Sequence, residues 1–181
     1  MKSQLIQTSK GKIVLLYLDK SGLSKKEMQF FVQEWIDKED SFSQKQLLHN
    51  SNGKPYLSGN SAPFISISYA LDAISIYFSD SDSVGIDIEN ISTKVNKIKA
   101  LFVSDNEHLT FPNLNIETLH LMWGAKEAIY KLHDGDFKDL KNEVEVIHVD
   151  FESNEISTLS RFGNHICHFE ILENQLVLVY C

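Results

Sequence analysis

Residues 123–131 read WGAKEAIYK, a stretch that combines the spacing of a helix with charges that a buried helix seldom carries. Helical spacing extends on both sides, so we predict a helix over residues 117–133. Its other side chains are mostly apolar, which leaves little of the helix to face water. Lys126, Glu127 and Lys131 therefore need partners inside the protein, because an unpaired buried charge is costly.

A second stretch, SVGIDIE at residues 83–89, predicts a strand. Asp87 and Glu89 are two residues apart, so both side chains project from one face of it. Taken alone, this could be an ordinary solvated face. Two neighbouring like charges favour a nearby cation, however, and Mg²⁺ prefers oxygen ligands. With Glu127 as a third carboxylate and the helix lysines on phosphate groups, the two stretches together predict Mg²⁺-dependent phosphoryl-type transfer.

Strand and helix patterns alternate along the rest of the chain. Residues 12–18 predict a buried strand, and Ser24 is a suitable N-cap for an amphipathic helix over residues 24–37. The runs FISISY and AISIYF predict two adjacent strands. Residues 95–103 have helical spacing, and four alternating stretches over residues 143–181 predict closing strands.

Composition narrows the class of protein. A chain of 181 residues with 43% hydrophobic composition can form one domain or two small, tightly packed halves. A net charge of -8 argues against general nucleic-acid binding, which needs a basic surface. The longest apolar run near the N-terminus is too short for a membrane span, and no leader pattern precedes it. Two cysteines do not make a disulfide framework, so we expect a cytoplasmic protein.

The pairing of VGIDIE with WGAKEAIYK, preceded by GKPYL and a FISIS strand, resembles the 4'-phosphopantetheinyl transferases of the longer, pseudo-dimeric single-chain type. The resemblance covers residues 52–131 with identifiable motifs. It implies an α+β fold of two similar halves, residues 1–80 and 81–181, each a small antiparallel sheet packed by a long helix. The active site would lie in the cleft between the halves, and such a chain would be a monomer.

The resemblance also implies a reaction. These Mg²⁺-dependent enzymes transfer the phosphopantetheine arm of coenzyme A to a serine of an apo acyl or peptidyl carrier protein and release adenosine 3',5'-bisphosphate. They serve fatty-acid or secondary-metabolite biosynthesis. Asp87, Glu89 and Glu127 would hold the metal on the pyrophosphate, and Glu127 would act as the base for the carrier serine. Lys126 and Lys131 would neutralise charge on the pyrophosphate and the leaving group.

The residues that the resemblance assigns to coenzyme A depart from the family pattern at two positions. Lys54 and Pro55 would lie against the nucleotide, and Ser68 would stand at the first serine of a Ser-His-Ser strand end. Here Tyr69 replaces the histidine and Ala70 the second serine, and tyrosine cannot carry a positive charge at neutral pH. A degenerate paralogue that binds a carrier protein or coenzyme A without turnover is therefore an alternative. A third is an unrelated Mg²⁺-dependent protein that shares the spacing by chance.

A carrier protein is typically acidic around its serine, so an acidic enzyme needs a local basic or apolar surface to dock it. Such a cluster follows Glu89 directly and consists of Lys94, Lys97 and Lys99 with the apolar residues Ile98, Leu101 and Phe102. We predict that this segment binds the carrier. The alternative is that its lysines form an ordinary solvated helix face.

Overall fold

The computed structural model describes residues 2–42 and 44–181, and its architecture is α+β. The chain forms two compact units: the first ends at Val84 and the second spans Gly85–Cys181. Each unit contains an antiparallel sheet and one long helix that packs on it. The α+β prediction of an antiparallel sheet with a long helix in each half is therefore confirmed.

The first unit combines a four-stranded sheet with a separate two-stranded hairpin. The sheet has the order β1-β2-β6-β5, and β3 pairs with β4 in the hairpin. The elements are strands β1 (Lys2–Gln7), β2 (Gly11–Tyr17), β3 (Leu47–His49), β4 (Pro55–Leu57), β5 (Phe64–Tyr69) and β6 (Ala73–Ser79), with helix α1 (Lys25–Lys38) and a 3-10 turn at Asp40–Phe42.

Helix α1 begins where the sequence predicts. Ser24 is its N-cap and accepts a hydrogen bond from the backbone N–H of Glu27, whose side chain bonds back to Ser24 in a capping box. Met28, Val32 and Ile36 recur at four-residue spacing and are buried. They pack in one core with the sheet residues Val14, Leu16, Ile74 and Ile76.

The second unit has a five-stranded antiparallel sheet in the order β7-β11-β10-β9-β8. Its strands are β7 (Ile86–Asn90), β8 (Val144–Asp150), β9 (Glu155–Ser160), β10 (Gly163–Leu172) and β11 (Leu176–Tyr180). Its helices are α2 (Val95–Ile98), α3 (Asp105–Thr110), α4 (Ile116–Leu132) and α5 (Leu140–Glu143), with 3-10 turns at Lys99–Leu101 and Glu173–Gln175. The four predicted closing strands are therefore confirmed.

Two glycines of the motifs allow helix α4 to lie very close to the sheet. A Cβ added at Gly85 would collide with the carbonyl oxygen of Ala128, and one added at Gly124 would come within 2.8 Å of Val179 Cγ2. Because a backbone carbonyl cannot move aside cheaply, position 85 needs glycine for this approach. The glycines thereby bring the charged side chains of α4 next to those of β7.

The segment after β7 differs from its prediction. Helical spacing over residues 95–103 predicts one helix, but α2 ends at Ile98 and a 3-10 turn follows at Lys99–Leu101. Phe102 and Val103 then enter the core of the second unit.

Among the described residues, no helix combines the length and apolar composition that a membrane crossing requires.

Candidate active site

Helix α4 and strand β7 lie side by side and run in opposite directions, so their polar side chains meet in a row. At one end, Lys131 Nζ donates a hydrogen bond to Asp87 Oδ1 at 2.7 Å. Further along, the Trp123 side chain donates a hydrogen bond to Glu89. The two motifs of the sequence therefore meet residue by residue.

Strand register explains why both carboxylates of β7 face the helix. Asp87 is paired with Val179 of β11, and Glu89 with Val177. Both valines belong to the core that α4 covers, so Asp87 and Glu89 project to the same side. Asp87 is only 4% exposed, whereas Glu89 is half-buried.

The acidic side chains of this row lie close together and raise one another's pKa values. Burial, followed by the charge of Asp87, raises the pKa of Glu89 to about 7, against opposing effects of the Trp123 hydrogen bond and Lys131. Burial and Asp87 also raise the pKa of Glu127. A nearby cation would favour the ionised form of each carboxyl group. The structure thus brings Asp87, Glu89, Glu127 and Lys131 together, and we call these four residues the polar row.

Within residues 2–42 and 44–181, no three His, Cys, Asp or Glu side chains form a ready-made metal site. The donor set nevertheless has the chemistry that Mg²⁺ requires. Mg²⁺ usually takes one or two protein carboxylates and completes its shell with water and substrate phosphates. Asp87 and Glu89, on one face of β7, supply a pair of such carboxylates.

A family model described as the 4'-phosphopantetheinyl transferase superfamily matches residues 83–181, which is more than half of the chain. The chain belongs to this superfamily. The matched range contains β7, α4 and every residue of the polar row. No individual curated protein matches the chain at a significant level.

Lys126 does not join the row, although the superfamily resemblance implies a contact with the pyrophosphate. Its Nζ lies 2.9 Å from Glu107 Oε1, and both side chains have no exposed surface. It also donates to the backbone oxygens of Lys141 at 3.2 Å and Leu140 at 3.4 Å. Neighbouring helical residues point about 100° apart, so Lys126 and Glu127 face different surroundings. In this structure the ammonium group of Lys126 therefore bonds to Glu107 and two backbone oxygens, and its contact with the pyrophosphate stays a prediction.

Glu107 was not predicted from the sequence as the partner of Lys126. Its Oε2 accepts a hydrogen bond from the backbone N–H of Ser104 at 2.7 Å, and its Oε1 accepts one from Val146 at 2.8 Å. The signal was present, because Ser104 and Glu107 form the S-x-x-E pattern of a capping box at the start of α3. Burial lowers the pKa of Lys126, while Glu107 acts in the opposite direction.

The residues that the resemblance assigns to coenzyme A lie in the first unit. Lys54 Nζ donates a hydrogen bond to Ser83 Oγ at 2.9 Å, and Pro55 begins β4. Ser68 and Tyr69 end strand β5. Burial raises the pKa of Tyr69 to about 12, so its hydroxyl stays protonated and neutral at physiological pH. Tyr69 can donate a hydrogen bond there but cannot supply a charge.

Proposed function

We propose that the protein transfers the 4'-phosphopantetheine arm of coenzyme A to a serine of an apo carrier protein. The observation that supports this most is the polar row, in which Asp87, Glu89, Glu127 and Lys131 gather at the α4 face of β7. Membership of the superfamily supports the same reaction class. Four ionisable groups crowded in this way suit a substrate that brings both a metal and phosphate charge.

The proposal includes a Mg²⁺ ion that Asp87 and Glu89 would hold, with Glu127 beside it. When bound, the ion would neutralise charge that develops on the pyrophosphate. Lys131 already donates to Asp87 Oδ1 and to the carbonyl oxygen of Ile86, which orients the carboxylate. Its ammonium group would also lie near the phosphate groups and favour their negative charge.

Glu127 would be the general base. The serine oxygen of the carrier forms a bond to the phosphorus of the phosphopantetheine arm, and the bond from that phosphorus to the bridging pyrophosphate oxygen breaks. The serine proton passes to Glu127, directly or through water, and adenosine 3',5'-bisphosphate leaves. A carboxyl group with a raised pKa is a better base near neutral pH than an ordinary glutamate. Lys54, Pro55, Ser68 and Tyr69 would contact coenzyme A.

Tyr69 favours a second candidate, a protein that binds a carrier or coenzyme A without turnover. Its neutral hydroxyl stands where the resemblance places a histidine that binds phosphate. Mass spectrometry distinguishes the two candidates. The protein is incubated with coenzyme A, Mg²⁺ and a panel of apo acyl and peptidyl carrier proteins, and each carrier is weighed. We expect a phosphopantetheine-sized gain that chelation of Mg²⁺ prevents, whereas binding without any gain would favour the second candidate.

We further propose that the segment after β7 docks the carrier protein. Lys94, Lys97 and Lys99 are exposed, and Leu101 is 73% exposed beside them. Phe102 was predicted to help, but it is fully buried against the core and contacts Trp123 instead. The docking surface therefore consists of the lysines with Ile98 and Leu101.

Reversing the charge of this surface gives a prediction. Lys94→Glu combined with Lys97→Glu should raise the KM for the carrier about tenfold and leave the KM for coenzyme A unchanged, because only carrier attraction is lost. The defect should shrink in salt, since screening shortens from about 10 Å at 0.1 M to about 3 Å at 1 M. Steady-state kinetics measure both constants. Lys25→Glu with Lys26→Glu, two exposed lysines of α1, is the matched control, and equal effects of both pairs would contradict the docking surface.

A further inference from the structure

The polar row continues beyond Glu89 to a histidine that neither motif contains. His120 of α4 is 4% exposed, and its Nε2 lies 3.0 Å from the backbone nitrogen of Ser92, which donates to it. The carbonyl oxygen of Ser92 is 3.2 Å from the same ring nitrogen. One side chain of α4 therefore contacts both backbone polar groups of the residue that follows β7 and Ile91.

Among the described residues, His120 makes its side-chain hydrogen bonds through one ring nitrogen. Without a proton, Nε2 accepts from the N–H of Ser92, and with a proton it donates to the carbonyl oxygen of Ser92, so either tautomer keeps a hydrogen bond to Ser92. Nδ1 of His120 is buried and has no hydrogen-bond partner among the described residues. Within the described part of the chain, the side chain of His120 is therefore attached to its surroundings through Ser92.

Ser92 lies just before the stretch that contains Lys94, Lys97 and Lys99, which we call the lysine segment. Its carbonyl oxygen accepts the backbone N–H of Val95 at 3.4 Å, which opens the turn into α2. On the other side, the N–H of Ile91 donates to the carbonyl oxygen of Gln175 at 2.7 Å. Fixing Ser92 therefore fixes the direction in which the chain leaves the sheet toward Lys94 and Lys97.

We propose that His120 is a positioning residue that holds the lysine segment at a fixed place relative to Glu127. Seven residues separate His120 from Glu127, which is close to two helical turns, so both side chains lie on one face of α4. Helix α4 then carries both the proposed base, Glu127, and the residue that holds the docking surface, His120. This inference rests on the proposed function, because it assigns the anchor to the carrier side of that reaction.

The kinetic test separates positioning from general stability. His120→Leu removes the contact with Ser92 together with the unpartnered Nδ1, so the Tm should stay within a few degrees of wild type. The KM for the carrier should rise about fivefold or more, and the KM for coenzyme A should not change. His120→Gln retains an oxygen that can accept from Ser92 and should restore most of the carrier KM. Equal changes in both KM values, or no rescue by glutamine, would overturn the proposal.

Limited proteolysis tests whether His120 holds the lysine segment, and it does not depend on the transfer reaction. In His120→Leu, trypsin should cut after Lys94, Lys97 and Lys99 about tenfold faster than in wild type, with unchanged cleavage after Lys25 and Lys26 as the internal control. Unchanged cleavage in the lysine segment would overturn the anchor. If wild-type protein modifies none of the carrier panel, the proposed function fails, and the proteolysis alone then decides whether His120 holds the segment. Faster cleavage with unaltered carrier KM would overturn the positioning role.

Discussion

Replacing Glu127 with alanine should lower Mg²⁺-dependent transfer about a thousandfold or more, because it removes both the proposed base and one carboxylate beside the metal. The fold should remain intact. Glu127 is half-buried, and its charge contributes to the raised pKa of Glu89, so its removal relieves repulsion within the row. The measurement is the rate at which apo carrier gains mass, at saturating coenzyme A.

One further readout and one control variant accompany the Glu127→Ala rate. The pKa of Glu89, about 7 in the intact row, should fall, because one of the charges that raise it is gone. A pH titration of the side-chain carboxyl by NMR detects this without any substrate. Glu117→Ala, in the first turn of the same helix, is the matched control and should retain wild-type transfer. Full turnover by Glu127→Ala would show that the base has been assigned to the wrong residue.

The sequence predicted the elements on which the polar row is built. Alternation in VGIDIE is enough to place Asp87 and Glu89 on one face, and β7 places them so. The helical spacing around WGAKEAIYK predicts residues 117–133, and α4 spans Ile116–Leu132. These predictions hold because side-chain periodicity depends only on local backbone geometry. The partner strand that brings valines beneath the carboxylates is far away in the sequence, because Asp87 pairs with Val179 and Glu89 with Val177, so the pairing leaves no local trace.

Contacts that depend on tertiary packing could not be read in the same way. Helix α4 is buried around most of its circumference, so the sequence does not say which of its polar residues faces β7. Lys126 and Glu127 are adjacent in the motif, yet they have different neighbours. Lys126 pairs with Glu107 of α3. Glu127 lies near Asp87, whose charge raises the pKa of Glu127. His120 carries no sequence signal at all, because its partner is a backbone group of Ser92.

The buried pair of Lys126 and Glu107 gives a second large prediction, in stability rather than in chemistry. Lys126→Met should lower the free energy of unfolding by about 3–5 kcal/mol, because it leaves the Glu107 carboxylate buried without its cation. Glu107→Leu should have an effect of similar size, since it strands the ammonium group. Urea unfolding followed by fluorescence is suitable, because Trp35 reports on the first unit and Trp123 on the second.

An exposed ion pair supplies the control for these two variants. Lys38 Nζ lies 2.6 Å from Glu34 Oε1 on α1, but its side chain is 68% exposed. Lys38→Ala should therefore change the free energy of unfolding by only about 0.5 kcal/mol. The contrast tests burial, because both pairs join a lysine to a glutamate at hydrogen-bonding distance.

The double variant Lys126→Met, Glu107→Leu should be more stable than either single variant, because it leaves no unpaired buried charge. It should remain less stable than wild type, since Glu107 also accepts from the backbone N–H groups of Ser104 and Val146, and leucine leaves both donors without that acceptor. Lys126→Met also distinguishes the structure from the sequence-based assignment. Wild-type stability combined with a raised KM for coenzyme A would mean that Lys126 contacts phosphate after all, and that the buried pair does not hold α4.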